Sequence, residues 1–516
     1  MGAIETMADV IRHQAAERPD AVALVSGDRS WTYAEMDAES SRIAQALLDA
    51  GVRPQERVAY LDKNAPEYFT YLFGAAKVNA VTVAVNWRLA PPEMAHILED
   101  SGARVLLVGE EFLDHLDKGG VDGIEHVIVL GSSASRPTYA EWIEGREALD
   151  PAVPSAPDDV CYQLYTSGTT GLPKGVQLTN SNMFRLMPAA SEEWGFGPDA
   201  VNLVAMPLFH IAGSGWGIVG LFNGARTILL RDVDPAEILR VIPAHGVTVA
   251  LFVPAVLQFL LAMPNVGDVD FSTLEMIVYG ASPITESVLV DSIRTFDCDF
   301  IQAYGLTETT GGVVILRPED HDPGGPNAHL LRAAGRPWGD VELRIAEPET
   351  MRELPDGEVG EVLVRSGQIM KGYWNLDDET AKVMTPDGWF RTGDAGYLRD
   401  GYLYIHDRVK DMIVSGGENI YPAEIENALI RHPGIADLAV IGVPDDRWGE
   451  TPKAMVVRTD PDLDQAAVIA FAREHLAGYK CPTSVEFIDA IPRNASGKIL
   501  KTDLRAPYWE GRDRKV

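Results

Sequence analysis

The chain has 516 residues, too many for one ordinary core, so two or more domains are expected. Apolar residues at 46% and charged residues at 23% exclude wholesale disorder, and a formal net charge of −32 repels phosphates and anionic surfaces, which argues against a nucleic-acid partner. Three scattered cysteines, Cys161, Cys298 and Cys481, form no CxxC pair, so a disulfide framework is not read and a reducing compartment fits.

The first twenty residues lack a basic region ahead of an apolar run, so no secretory signal is read. Thr32 and Glu35 have capping-box spacing ahead of a helix with Ile43 and Leu47 on one face, stopped at Gly51. Strands are predicted at 57–61, 80–85, 104–109 and 126–131, with helical stretches before several of them, a rhythm of parallel sheet covered by helices. The Pro-rich stretch 151–159 reads as a break, a candidate internal linker. Alternation resumes with helix 236–244, strand 247–252, helix 255–262, strand 274–279, helix 285–296 and strand 299–304. Residues 341–406 read as a small β-rich section. Beyond about residue 410 the pattern is compact α+β: helix 422–431, strands 436–443 and 454–458, helix 464–477 and strand 485–490. Apolar runs near 71–85 and 247–263 are interrupted by Lys77, Asn79, Pro254 and Gln258, so no transmembrane segment is expected and the cytoplasm is the default location.

The strongest chemical signal is TSGTTGLPKG, Thr166 to Gly175, directly after the strand-like run CYQLY. Its glycines let backbone N–H groups approach an anion, its hydroxyls add donors, and Lys174 adds positive charge, a composition suited to gripping phosphate. The spacing is neither that of a Walker loop nor that of a dinucleotide fingerprint. In YGLTE, Tyr304 offers a face for a purine and Thr307 a donor for phosphate. Glu308 would repel a triphosphate unless it holds magnesium, which takes oxygen ligands and bridges to phosphate. The small residues Gly280, Ala281 and Ser282 follow a strand and would let a base lie against the backbone. Asp394, in the turn RTGD, is a bidentate acceptor for ribose hydroxyls.

These strings resemble the successive motifs of the adenylate-forming superfamily, which includes acyl-CoA synthetases, carrier-protein adenylation domains and luciferases. The resemblance runs in order over roughly residues 20–505, through TSGTTGLPKG, MPLFH, YGASP, YGLTET, GWFRTGD, HDRVKDMIVSGGENIYPAEIE and PRNASGKILK. It implies an α/β multidomain fold: a large N-terminal AMP-binding domain of helix-covered sheets plus the β-rich section (1–409), and a small, mobile α+β lid domain (410–516). It implies ATP, magnesium and coenzyme A as cofactors and co-substrates, and a small-molecule carboxylic acid as substrate; a homo-oligomer is compatible with it. By resemblance the triphosphate is held by Thr166, Ser167, Gly168, Thr169, Thr170, Gly171 and Lys174, and the base by Gly280, Ala281, Ser282, Gln302, Tyr304 and Gly305. Asp394 and Arg408 take the ribose, and His210 gates the acyl pocket beside Thr307 and Glu308.

The resemblance also makes Lys498 the lysine that bridges carboxylate and α-phosphate during adenylation. At about 4 Å and an effective dielectric near 20, such a charge interaction is worth roughly 4 kcal/mol. Lys410 would be the hinge, a polar position that loses no core contact when its backbone turns. Rotation there would exchange Lys498 for Ser415, Gly416 and Gly417, past which a pantetheine arm runs, with Trp448 and Tyr479 as contacts for the nucleotide end of coenzyme A. Acyl-pocket candidates are Trp216, Phe252, Val253, Gly311 and Gly312, an apolar lining that favours a fatty or other hydrophobic acid. The end of the chain soon after Lys498, and the lack of a large insertion in the swing region, favour coenzyme A as acceptor. An acyl-AMP ligase loading a carrier protein, a ligase for an aryl or steroid-derived acid, a luciferase-type oxidase and a non-catalytic nucleotide-binding homologue stay open as alternatives.

Overall fold

The computed structural model of the protein describes residues 4–119, 123–166, 172–415, 418–445, 447–493 and 499–510. Among them the chain forms four sheets within two compact units. The first unit comprises Met1–Leu331, Gly335–Glu342 and Arg365–Gly388; the second comprises Arg332–Ala334, Leu343–Val364 and Trp389–Val516.

In the first unit the capping box forms as its spacing dictates. Thr32 Oγ1 accepts from the Glu35 amide at 3.2 Å, and the Glu35 carboxylate accepts from the Thr32 amide at 2.8 Å, opening the helix Tyr33–Asp49. Losing such a cap typically costs about 1 kcal/mol. Ile43 and Leu47 are fully buried, and Gly51 takes φ +75° just past the helix end.

One sheet of this unit runs, in spatial order, Gly372–Tyr373, Lys174–Thr179, Val160–Thr166, Val81–Ala84, Arg57–Leu61, Val105–Gly109 and His126–Leu130. Its last five strands are parallel. They are covered on both faces, which is why they read as near-continuous apolar runs. The stretch 151–159 does not separate the two units. Asn79 Nδ2 donates to the Pro154 carbonyl at 3.1 Å and to Asp159 Oδ2 at 2.9 Å, tying it to the first unit.

The other sheet has a parallel centre, Val22–Ser26, Arg226–Leu229, Val201–Val204, Val249–Phe252, Met276–Gly280 and Asp299–Leu306. Antiparallel strands Arg29–Thr32, Gly311–Leu316 and Arg336–Pro337 close its edges. Leu203, Ile238, Ile242, Ala250, Phe252, Ile277 and Phe300 form its core against the helices Pro235–His245 and Glu286–Phe296.

The second unit holds a four-stranded sheet, Glu342–Ala346, Gly360–Arg365, Phe390–Arg399 and Tyr402–Arg408. It also holds a five-stranded α+β body around Ile413, Ile425, Leu429, Val440, Val456 and Val468. Ion pairs brace that body: Arg505 with Asp411 at 2.6 Å, Lys501 with Glu426 at 3.0 Å and Lys480 with Glu424 at 2.7 Å. Compactness divides the chain at Gly388/Trp389, ahead of position 410, and within the second unit the His406 and Tyr421 rings meet at 5.1 Å. Among the described residues no helix is long and apolar enough to cross a membrane.

Candidate active site

The phosphate-loop motif lies in a hairpin. Val160–Thr166 pairs antiparallel with Lys174–Thr179, setting Thr166 opposite Lys174 at the mouth of the turn. Ser167, Gly168, Thr169, Thr170 and Gly171 lie outside the described residues. Glu308 stands beside the hairpin: its Oε1 accepts from Thr166 Oγ1 at 3.4 Å and from the Tyr373 hydroxyl at 3.0 Å. The Met370 amide donates to the Glu308 carbonyl at 2.8 Å, fixing its backbone too. Lys174 pairs with Glu379 and lies 5.2 Å from the centre of the Tyr373 ring. The Lys174 and Lys382 ammonium groups hold the Glu379 carboxyl down at about 2, well below the usual carboxylate range.

Tyr373 and Glu379 escape a sequence reading. The two-residue strand Gly372–Tyr373 is too short to show a period, yet it pairs with Val176 and Gln177 and so delivers the phenol to Glu308. The cue available in sequence was an aromatic–acid cluster, YWNLDDET, directly after Gly372.

Thr307 opens the 3-10 turn Thr307–Thr309, closed by the Thr310 amide on the Thr307 carbonyl at 3.0 Å. The turn is pinned through Thr310 Oγ1 on the Gln368 carbonyl, 2.6 Å, and Gln368 Nε2 on the Gly312 carbonyl, 3.0 Å. Small residues are obligatory around it. A Cβ on Gly305 would stand 1.8 Å from the Gly311 carbonyl oxygen, and one on Gly280 would stand 2.1 Å from that of Ala303. Ala281 takes φ +66°, a strained conformation for a residue with a side chain, at the point where the strand Met276–Gly280 ends.

A cavity of about 90 Å³ adjoins this turn. Met183, Met187, Trp194, Trp216, Gly311 and Gly312 line it together with Tyr279, Gly280, Ala281 and Gly305, and no charged side chain does. Trp216 is anchored by its indole N–H on the Leu203 carbonyl at 3.1 Å, with the Trp194 ring 5.4 Å away. Phe252 is a correction to the expected lining: strand alternation turns it into the core, fully buried, and Leu251 faces the cavity instead. Val253 likewise packs against that core. Trp194, Met183 and Met187 were not expected, because they come from an element ahead of the gate motif. His210 caps the helix Ile211–Phe222, with its ring 4.4 Å from that of Phe209.

Gln302 and Tyr279 are partners across adjacent parallel strands. Tyr279 Oη lies 3.2 Å from Gln302 Oε1 and 3.0 Å from His321 Nε2, and His321 Nδ1 lies 2.8 Å from the Arg317 carbonyl oxygen. Burial pushes the His321 imidazole down to about 4.

Residues 11–374 match the family described as AMP-binding enzyme, and residues 424–498 match AMP-binding enzyme C-terminal domain. The chain belongs to the AMP-binding enzyme family. It is 42% identical to fatty acid–[acyl-carrier-protein] ligase ScoC of Streptomyces coeruleorubidus, over 99% of this chain and 98% of that one. It is 39% identical to a feruloyl-CoA synthase of an Amycolatopsis species, over 95% and 96%. Its fold is that of the adenylate-forming enzymes: the crystal structure of the anthranilate CoA ligase AuaEII in complex with anthranoyl-AMP superposes with a TM-score of 0.88 at 28% identity, covering 98% of this chain and 97% of that one. This AMP-binding enzyme is thus an AMP-forming acid–thiol ligase, making an acyl-AMP from ATP and an acid and passing the acyl group to a thiol.

The second unit of the enzyme carries the remaining expected residues. Asp394 is buried, and its amide donates to Thr392 Oγ1 at 3.0 Å. The ladder sets it opposite Arg408. Lys410 lies in the 3-10 turn Val409–Asp411, directly before the Asp411 that Arg505 holds. Ser415 pairs with Glu418 and Gly449, while Gly416, Gly417 and Lys498 lie outside the described residues. Trp448 and Tyr479 are both about half exposed.

Proposed function

We propose that the enzyme activates a hydrophobic carboxylic acid, fatty or aryl, and that coenzyme A is the thiol. The observation that carries the acid class is the uncharged, aromatic and methionine lining of the cavity beside the Thr307–Thr309 turn. A second carboxylate buried there would meet no cation and would cost several kcal/mol. At about 90 Å³ the cavity takes a ring or the first methylenes of a chain. A longer acid needs the gate at His210 to open.

In this reading Thr166, Lys174 and the loop between them take the triphosphate, and Tyr304, Gly280 and Gln302 take the base. Glu308 would hold magnesium. Among the described residues no cluster of three or more acidic, histidine or cysteine side chains could hold a metal by itself. One carboxylate, with phosphate oxygens and water completing the shell, fits an ion that keeps much of its hydration. That ion would screen the phosphate charges from Glu308. Asp394 and Arg408 take the ribose, and Lys498 neutralises charge as pyrophosphate leaves. Lys410 is the hinge between the half-reactions, and Ser415, Gly416, Gly417, Trp448 and Tyr479 serve the thiol step. The reaction takes place in the cytoplasm.

A second reading, transfer to a carrier-protein phosphopantetheine, is favoured by the 42% identity to a fatty acid–[acyl-carrier-protein] ligase. The test is pyrophosphate release with short, medium, long and aromatic acids, followed by AMP formation with coenzyme A or a holo carrier protein. Hydrophobic acids should trigger release, and coenzyme A should accelerate AMP formation. Acceleration only by the carrier protein selects the second reading. Release that is best with acetate or a dicarboxylate overturns the acid class.

A further inference from the structure

Asn64 lies where the two sheets of the first unit meet. It follows the strand Arg57–Leu61 of one sheet and touches the residues just past Val201–Val204 and Arg226–Leu229 of the other. It is almost fully buried, so its amide must find its partners within the protein. Nδ2 donates to the Met206 carbonyl at 3.1 Å and to the Leu230 carbonyl at 3.0 Å, and Oδ1 accepts from the Leu208 amide at 3.0 Å. Only this orientation of the amide works. The reverse would set its oxygen against two carbonyls and its nitrogen against an N–H.

Two of those bonds hold Met206 and Leu208, in the segment 206–210 that ends at His210. The Tyr162 hydroxyl adds a further bond, to the Leu208 carbonyl at 3.2 Å. Past His210 the helix Ile211–Phe222 begins, with the Gly213 amide on the His210 carbonyl at 2.9 Å and Ser214 Oγ on it at 3.0 Å. A Cβ on Gly213 would stand 2.2 Å from the Pro207 carbonyl oxygen, so segment and first helical turn are packed as one piece. That helix gives the acyl cavity Ile211, Ala212, Gly215 and Trp216. At about 90 Å³ the cavity is filled by a ring or a short chain, and a longer acid is admitted only if this wall shifts. Such a shift breaks the bonds that Asn64 makes, and each buried carbonyl or amide left without a partner opposes it.

We propose that Asn64 is a positioning residue that sets the acyl-chain length the enzyme accepts, by holding the segment 206–210 and the helix behind it against the cavity. This rests on the acid class and the gate proposed above. Truncating the amide removes three hydrogen bonds from the closed arrangement and fewer from an opened one, so the population moves toward open. Long acids gain from a wall that yields, and short acids gain nothing.

The experiment offers hexanoate and dodecanoate together, with ATP and magnesium, to the wild-type enzyme, Asn64→Ala and Tyr162→Phe. Hydroxylamine traps the acyl-AMPs whatever the natural thiol, and mass spectrometry reads the two hydroxamates. In one vessel the product ratio reports the relative kcat/KM of the two acids. It does not depend on how much enzyme is folded, so a loss of stability alone leaves it unmoved. The dodecanoyl:hexanoyl ratio should rise about 10-fold in Asn64→Ala and about threefold in Tyr162→Phe, with the KM for ATP within about twofold of wild type. Tyr162→Phe removes a single oxygen and decides the matter if Asn64→Ala does not fold. Hydrogen exchange should quicken at residues 206–214 in both variants. A ratio that is unchanged or falls, or a KM for ATP that rises in step with the ratio, overturns the proposal. Failure of the acid reading looks different: neither acid gives a hydroxamate with wild type, while exchange at 206–214 still quickens in the variants.

Discussion

In the first unit the residues proposed to face phosphate are, apart from Lys174 and its partner Glu379, held by uncharged neighbours: Thr166 and Tyr373 on Glu308, Thr310 and Gln368 on the Thr307–Thr309 turn, glycines at the closest backbone approaches. In the second unit the α+β body is braced by charge, with Arg505 on Asp411, Lys501 on Glu426 and Lys480 on Glu424. The difference follows from what each must do. A cradle for a triphosphate needs donors at fixed positions, and hydroxyls and amides on pinned turns supply them with little side-chain entropy to lose. A small body with a limited apolar core gains cohesion from ion pairs, and keeps its own shape if it turns about the residue before Asp411.

Separating the chemistry from the cradle gives the largest expected effect. Lys498→Ala should slow acyl-AMP formation about 10²–10³-fold while ATP affinity stays within about threefold, read by single-turnover pyrophosphate release beside calorimetry. Equal losses in both would place Lys498 in binding rather than catalysis.

Breaking the brace comes next. Arg505 and Asp411 are each about 10% exposed at the side chain, so Arg505→Ala leaves a largely buried carboxylate unpaired and should remove about 3 kcal/mol from the second unit. Denaturant unfolding should then show an early transition that spares the Trp194–Trp216 environment of the first unit.

The pH response sharpens the contrast in the other direction. His321 has a folded value of about 4, below its ordinary 6.5, so the unfolded chain binds more protons between those two values. Stability from this group is therefore full above about pH 6.5 and declines as pH falls toward 4, by at most about 3 kcal/mol. Urea unfolding at pH 7 and pH 4.5 measures the slope, and His321→Phe should flatten its share.

The smallest effect concerns the Lys174–Glu379 pair. In the proposed function Lys174 takes the triphosphate, which then displaces the half-buried Glu379 carboxylate from it, so Glu379→Gln should lower the KM for ATP about two- to threefold. The sign for pH is that of a depressed carboxyl: the pair is present above the usual carboxylate range and is lost only as pH falls toward 2.

Much of the fold was legible because each element carried its own signal. The capping box at Thr32 and Glu35, the apolar runs 57–61 and 104–109, and the alternation after residue 410 all correspond to observed elements. The stretch 151–159 misled because prolines mark irregular backbone, not the absence of tertiary ties such as those from Asn79. Within the site, motif residues such as Thr166, Glu308 and Gly280 were visible as strings. Tyr373 and Glu379 were not, since a two-residue strand has no period and its meaning comes from the hairpin it joins. Phe252 was misplaced because a strand read as an apolar run does not tell which face meets the cavity. The contact of His321 with Tyr279 was out of reach for a similar reason: it joins residues 42 apart in sequence.

The most direct test of the account is rapid-quench analysis of the wild-type enzyme mixed with ATP, magnesium and a hydrophobic acid, with no thiol present. The account predicts close to one equivalent of acyl-AMP per enzyme together with pyrophosphate, and conversion of that acyl-AMP to a thioester and AMP when thiol is added. Release of ADP and phosphate instead, or no acyl-AMP until a thiol is supplied, would contradict it.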